Sequence, residues 1–125
     1  MVYTAATQSL AALEILVHTA DPDDLRDYVV MPVELDEGLV IEGPKLPRNW
    51  RSYPAPPSTM RLGDKWATGK ASVGLRVPSV IIPSEWNYLL NPMHPEFGKL
   101  RIGKGERFAF DSRLTVMPGA RRRNG

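Results

Sequence analysis

Proline sets the grain of this chain. Twelve of its 125 residues are proline, and each removes a backbone donor, fixes its own φ and biases the residue before it away from helix. They end or interrupt most of the extended stretches, so the sequence predicts short strands. From about Thr7 to Thr19 the apolar residues Leu10, Leu13 and Val17 recur at helical spacing, and Pro22 among Asp21, Asp23 and Asp24 ends the run. At about 100° per residue these three share one stripe; Glu14 lies on its edge, half turned toward the core, with His18 one turn later. A second, short helix is expected from the capping chemistry of Ser58 and Thr59, with Leu62 and Trp66 a turn apart and Gly69 closing it. Between them Pro44, Pro47, Pro54, Pro56 and Pro57 surround Trp50 and Tyr53, a surface connection pinned by aromatic residues.

The rest reads as strand. Val2 to Thr4 is strand-prone from the outset. Tyr28 to Leu35 is extended, but Pro32 inside it confines it to an edge or a bulge. Leu39 to Glu42 is a further weak strand; Val73, Leu75 and Val77 alternate with Gly74 and Arg76 until Pro78 stops them and places Ser79 at the strand exit. Val80 to Ile82 resumes an apolar run that Pro83 ends, Trp86 to Pro92 is extended and aromatic, and His94-Pro95 leads into a turn. Leu100 to Ile102 and Arg107 to Phe110 read as two strands joined by Gly103, Lys104 and Gly105. The sum is two helices with five or six short strands, an α+β chain with a mostly antiparallel sheet.

Composition narrows the chemistry. With 42% hydrophobic and 24% charged residues the chain suits one globular domain. No run of about 18 apolar residues exists, and no basic residue precedes the apolar stretch of Met1 to Ala12, so neither a membrane span nor a secretory signal is expected. Cysteine is absent and the histidines are His18 and His94, which removes disulfides, a Cys nucleophile and Cys- or His-rich metal centres; no metal and a cytoplasmic location are the expectation.

Charge is lopsided along the chain. Residues 1–43 hold nine acids and one base, Arg26, while residues 44–125 hold five acids and fifteen bases, about minus eight against plus ten. In one compact domain such halves fold against each other and neutralise; the other reading is a basic rim beside a cleft that attracts phosphate-bearing ligands. Arg121 to Arg123 lie in a terminal tail past Pro118 and Gly119 with no apolar anchor, for which disorder is expected and direct nucleic-acid binding is not.

Residue chemistry alone leaves alternatives open. There is no phosphate-cradling glycine loop and no Gly-x-Ser-x-Gly elbow. Glu14 and His18 at i, i+4 are either a working pair or solvated helix decoration. Ser79 is either a site hydroxyl or a backbone-bonded turn residue. Trp66, Trp86, Tyr88 and Tyr3 either stack a planar ligand or fill the core.

Taken together, several stretches resemble the RES-domain family, named for an Arg, a Glu and a Ser. They are Val2-Tyr3-Thr4, Leu10-Ala11-Ala12-Leu13-Glu14 with Val17-His18, Ser58-Thr59 with Leu62-Gly63-Asp64 and Trp66, Leu75-Arg76-Val77-Pro78-Ser79, Asn87 to Pro92 before His94-Pro95, and Phe110-Asp111 with Arg113-Leu114. The resemblance implies an ADP-ribosyltransferase-like split sheet around a cleft for NAD+. It also implies a toxin of a bacterial toxin–antitoxin pair that consumes NAD+ by phosphorolysis, hydrolysis or ADP-ribosyl transfer, and is blocked by a DNA-binding antitoxin. On that mapping Glu14 takes the family's Glu, Ser79 its Ser and Tyr3 a tyrosine of the nicotinamide pocket. All three bind NAD+ there, and Glu14 and Ser79 serve the chemistry.

The family also places an Arg, then a Gly-Arg-Trp-Asn type segment, a few dozen residues before the Tyr-Thr strand, whereas this sequence opens at Met1-Val2-Tyr3. The resemblance therefore implies an N-terminally incomplete RES domain over residues 1–117, its first strand missing, and a basic tail over 118–125. Arg76 and Arg101 are stand-ins for the absent Arg by charge alone. The alternative reading is a catalytically inactive remnant that keeps only antitoxin or partner binding.

Overall fold

The computed structural model describes residues 1–18, 25, 27–46, 48–51 and 57–114, with only the backbone of Ser58. The acidic turn expected after the first helix, Tyr53 of the proline-rich connection, the boundary at residue 117 and the arginine tail lie outside the described residues.

The described elements run β1 (Val2–Ala5), α1 (Gln8–His18), β2 (Tyr28–Val30), β3 (Val33–Glu34), β4 (Val40–Glu42), α2 (Pro57–Gly69), β5 (Gly74–Pro78), β6 (Trp86–Leu90), β7 (Arg101–Ile102) and β8 (Glu106–Phe108). A four-stranded sheet has the order β1-β6-β5-β4, and two separate two-stranded ribbons pair β2 with β8 and β3 with β7. Only β4 and β5 are parallel. A parallel pair needs a long crossover, and α2 lies in that connection. The α+β class and mostly antiparallel pairing expected from the sequence are therefore observed.

Alternation along the strands divides the sheet into two faces. Tyr3, Leu89 and Leu75 form one cross-strand row, and Thr4, Tyr88, Arg76 and Glu42 form a row on the other side. On the first face Trp66 of α2 packs against Leu75 and Leu89. The indole is pinned as well as buried: its Nε1 donates to Ser72 Oγ at 3.0 Å, and Ser72 Oγ donates to the Gly74 carbonyl at 2.6 Å. At the far end Val73, Leu90 and Leu100 form a second core with Leu35, Leu39 and Phe97 around it. Asn91, 2% exposed, knots the elements by donating from Nδ2 to the Ala67 carbonyl and from its backbone to the Val73 carbonyl.

Thr7 starts α1 by accepting the Leu10 amide on its hydroxyl at 3.1 Å, an N-cap that the sequence reading did not single out. The expected apolar stripe is only partly used. Leu10 is 1% exposed, whereas Leu13 and Val17 keep 39% and 59% of their surface open.

Leu100–Ile102 and Arg107–Phe110 do not pair with each other; β7 and β8 instead run along β3 and β2, two pieces of the 28–35 stretch that Pro32 divides. The Pro32 carbonyl takes the Gly103 amide at 2.7 Å, and a Cβ on Gly103 would sit 2.6 Å from the Pro32 ring, so that glycine serves close backbone approach. Gly69 is the last residue of α2, as expected, and Lys70 after it adopts the left-handed conformation, at φ 52°, while its amide donates to the Trp66 carbonyl. Ion pairs Arg76–Glu42 and Arg107–Asp27 join the basic and acidic parts of the chain, in line with mutual neutralisation.

Candidate active site

Pro78 ends β5 and leaves Ser79 to begin a tight return to β6. The turn is fixed by backbone bonds: the Ser79 amide donates to the Glu85 carbonyl and the Glu85 amide to the Ile82 carbonyl, both at 2.9 Å. Inside it the Ser79 hydroxyl, on a residue with 0% exposure, accepts the amides of Ile81 and Ile82 at 3.1 Å each. Its hydrogen is directed at Glu14, with Oγ to Oε1 at 3.0 Å. A serine hydroxyl has one donor and two acceptor positions. All three are occupied, so Ser79 is both the backbone-bonded turn residue and a partner of Glu14.

Glu14 projects from α1 and is half-buried. One Ser79 bond uses a fraction of a carboxylate's accepting capacity, which is about four lone-pair positions. The group is oriented on one side and still accessible on the other. Tyr3 stands on β1 opposite Leu89. Its phenol is raised above the ordinary tyrosine value, first by desolvation and second by the Glu14 carboxylate. Tyr3 keeps 68% of its surface open, so water weakens both causes. Of the three residues named from the sequence, Ser79 and Glu14 are joined by a hydrogen bond, and Tyr3 stands on β1, the strand that lies against α1.

The charge-based stand-ins for an arginine are not brought there. Arg76 lies on the sheet face opposite Tyr3, paired with Glu42 and stacked over Trp86 at 4.3 Å from the ring centroid. Arg101 is exposed on β7. Trp86, read as either a ligand-stacking or a core residue, is not a core residue: it keeps 38% exposure, while Trp66 is buried at 7%. The backbone-bonded reading of Ser79, a serine directly after a strand-ending proline, is observed in the Ile81 and Ile82 amides, although the sequence did not name those two partners. Among the described residues no group of three or more His, Cys, Asp or Glu is placed to hold a metal ion, and no helix is long and apolar enough to cross a membrane.

Comparison with known proteins identifies the family. The model of the RES domain family matches residues 1–111. The chain is 40% identical to a protein named Toxin Res from Yersinia enterocolitica over 116 residues, covering 90% of this chain and 76% of that protein. It is 38% identical to Toxin Res from Photorhabdus laumondii over 116 residues, with 90% and 74% covered. It is 34% identical to the Prs ADP-ribosylating toxin of a Sphingobium strain over 119 residues, with 91% and 74% covered. The last name is consistent with an ADP-ribosyltransferase-like fold, and a mixed sheet with two helices fits that architecture. The chain belongs to the RES-domain family.

Proposed function

We propose that this protein is a RES toxin that acts on NAD+, cleaving the bond between nicotinamide and ribose. The observation that carries the reading is the 3.0 Å hydrogen bond by which a buried hydroxyl orients a half-exposed carboxylate. Heterolysis leaves the bonding pair on nicotinamide and builds positive, oxocarbenium-like charge on the ribose, which water, phosphate or a protein side chain then captures. A fixed carboxylate beside that ribose stabilises the developing charge and accepts hydrogen bonds from the ribose hydroxyls. Glu14 takes this role. Tyr3, exposed on β1, offers its ring as a stacking face for nicotinamide.

Ser79 works one step removed. Its hydroxyl has no position left for substrate, so it is a positioning residue that acts through Glu14, not a ligand to the ribose or the nicotinamide amide. The relatives named as toxins support an antitoxin partner; its DNA-binding kind and action in the cytoplasm are part of this proposal and follow from the family resemblance alone.

The test is nicotinamide release from NAD+ by the full chain, with and without phosphate. Glu14→Gln keeps the shape and removes the charge, and is expected to lower the rate at least a hundredfold. Equal rates for the two proteins overturn the assignment. Exposed Leu13 and Val17 favour a second reading, a surface for partner binding without turnover. That reading is supported if the chain binds an antitoxin and releases no nicotinamide.

A further inference from the structure

Two routes through the chain meet at the start of β6. One is the connection from β1 into α1, residues 5–7, which leads to Glu14 about two turns into the helix. The other is the turn from Ser79 into β6. The Ser79 amide donates to the Glu85 carbonyl at 2.9 Å, the Ala6 amide to the Trp86 carbonyl at 3.0 Å, and Asn87 Nδ2 to the Thr4 carbonyl at 3.2 Å. Three successive residues, 85–87, therefore hold both the turn that bears the hydroxyl and the root of the helix that bears the carboxylate. Thr7, directly after Ala6, caps that helix through the Leu10 amide.

Asn87 is the side chain in this set. It sits between Ala5 and Val77 in the cross-strand row next to that of Tyr3, Leu89 and Leu75, on the same sheet face, and is 5% exposed. Burying a carboxamide there carries a desolvation cost that leucine does not, and the bond to Thr4 offsets it. β1 is an edge strand of its sheet, so a side-chain tether has most effect on it. We infer that Asn87 is a positioning residue of the candidate active site, holding the start of α1 so that the Glu14 carboxylate meets the Ser79 hydroxyl. The inference rests on the proposed role of Glu14 in cleaving NAD+. Asn87 acts through the β1–α1 connection and serves the geometry of the carboxylate, not the binding of the dinucleotide.

Nicotinamide release is measured for the full chain carrying Asn87→Leu, which keeps the side-chain volume and removes the donor, alone and combined with Glu14→Gln. Expected is a fall in kcat of about tenfold in the wild-type background and less than about twofold in the Glu14→Gln background, with KM within about twofold throughout. A residue that only stabilises the fold lowers both backgrounds by the same factor. That result overturns the proposal, as does a rise in KM at unchanged kcat. Ala6→Pro, at an exposed position, removes the neighbouring tether to Trp86 and is expected to show the same pattern; it carries the test if Asn87→Leu does not fold. Failure of the parent reading is separable. If the wild type releases no nicotinamide, the role of Glu14 falls and the tether is read from urea midpoints of Glu14→Ala, Ser79→Ala and their combination. The two substitutions are expected to be non-additive in the wild type and additive in Asn87→Leu. Additivity in the wild type, or non-additivity that persists in Asn87→Leu, overturns the positioning role.

Discussion

Ser79 Oγ lies 3.0 Å from Glu14 Oε1 although 65 residues of chain separate the two. One belongs to the exit of β5 and the other to α1, so the contact depends on the helix and the turn being placed together. Replacing Ser79 with Ala removes an acceptor from the Ile81 and Ile82 amides as well as the donor to Glu14. Stability is expected to fall by about 1–3 kcal/mol, seen as a lower denaturation midpoint at unchanged slope. For a positioning residue kcat should drop about ten- to a hundredfold with KM little altered. A rise in KM with kcat intact would make Ser79 a substrate contact instead.

Tyr3 separates stacking from hydroxyl chemistry. Tyr3→Phe keeps the ring and is expected to change turnover of NAD+ less than threefold, whereas Tyr3→Ala should raise KM about tenfold. Equal losses in both variants would assign the function to the phenol hydroxyl.

The same residue carries a pH signature. Its phenol is raised by desolvation and by Glu14. The folded state therefore holds this proton more tightly than the unfolded chain, whose tyrosines ionise near about pH 10. The associated stability is fully present below that pH and is lost as pH rises through the folded value. Tm compared at pH 8 and pH 11 should fall more for the wild type than for Tyr3→Phe. The difference is small because Tyr3 is 68% exposed, and an identical fall in both proteins would contradict the raised phenol of Tyr3.

How much of this was legible in the sequence varies with the range of the interaction. β1, α1, α2, β5 and β6 are local patterns of propensity and period, and they stand close to where the residues predicted them. Pairing is not local. Gly103-Lys104-Gly105 reads as the connection between two strands, with no sign of their partners; β7 and β8 pair with β3 and β2, because Pro32 breaks one partner strand and the glycine segment matches that break. The Leu10, Leu13 and Val17 stripe marks a helix face without saying what covers it, and only Leu10 is covered. Glu14 and Ser79 each had an ordinary reading in isolation; spacing in sequence carried no sign that they touch, and the family resemblance alone paired them.

Trp66 is the main anchor of α2 on the sheet, buried against Leu75 and Leu89. Trp66→Ala is expected to cost about 3–5 kcal/mol, enough to threaten folding outright. Ser72→Ala is milder: it strands the buried indole N–H and should cost about 1–3 kcal/mol by chemical denaturation. A loss below 0.5 kcal/mol would mean that the indole finds another acceptor.

Lys70 holds a left-handed conformation at the end of α2, which costs a side-chain-bearing residue about 1–2 kcal/mol. Glycine relieves that strain and gives back part of it as unfolded-state freedom. Lys70→Gly is expected to stabilise by about 0.5–1 kcal/mol, a rise of about 2–5 °C in Tm. A lower Tm would contradict the backbone geometry at this position.

The most direct measurement is a double-mutant cycle on NAD+ turnover with Glu14→Gln, Ser79→Ala and the pair combined. If Ser79 acts through Glu14, the combined variant is no slower than Glu14→Gln alone, because the carboxylate that Ser79 positions is already lost. Losses that multiply, each substitution keeping its full effect in the presence of the other, would mean that the two residues work separately.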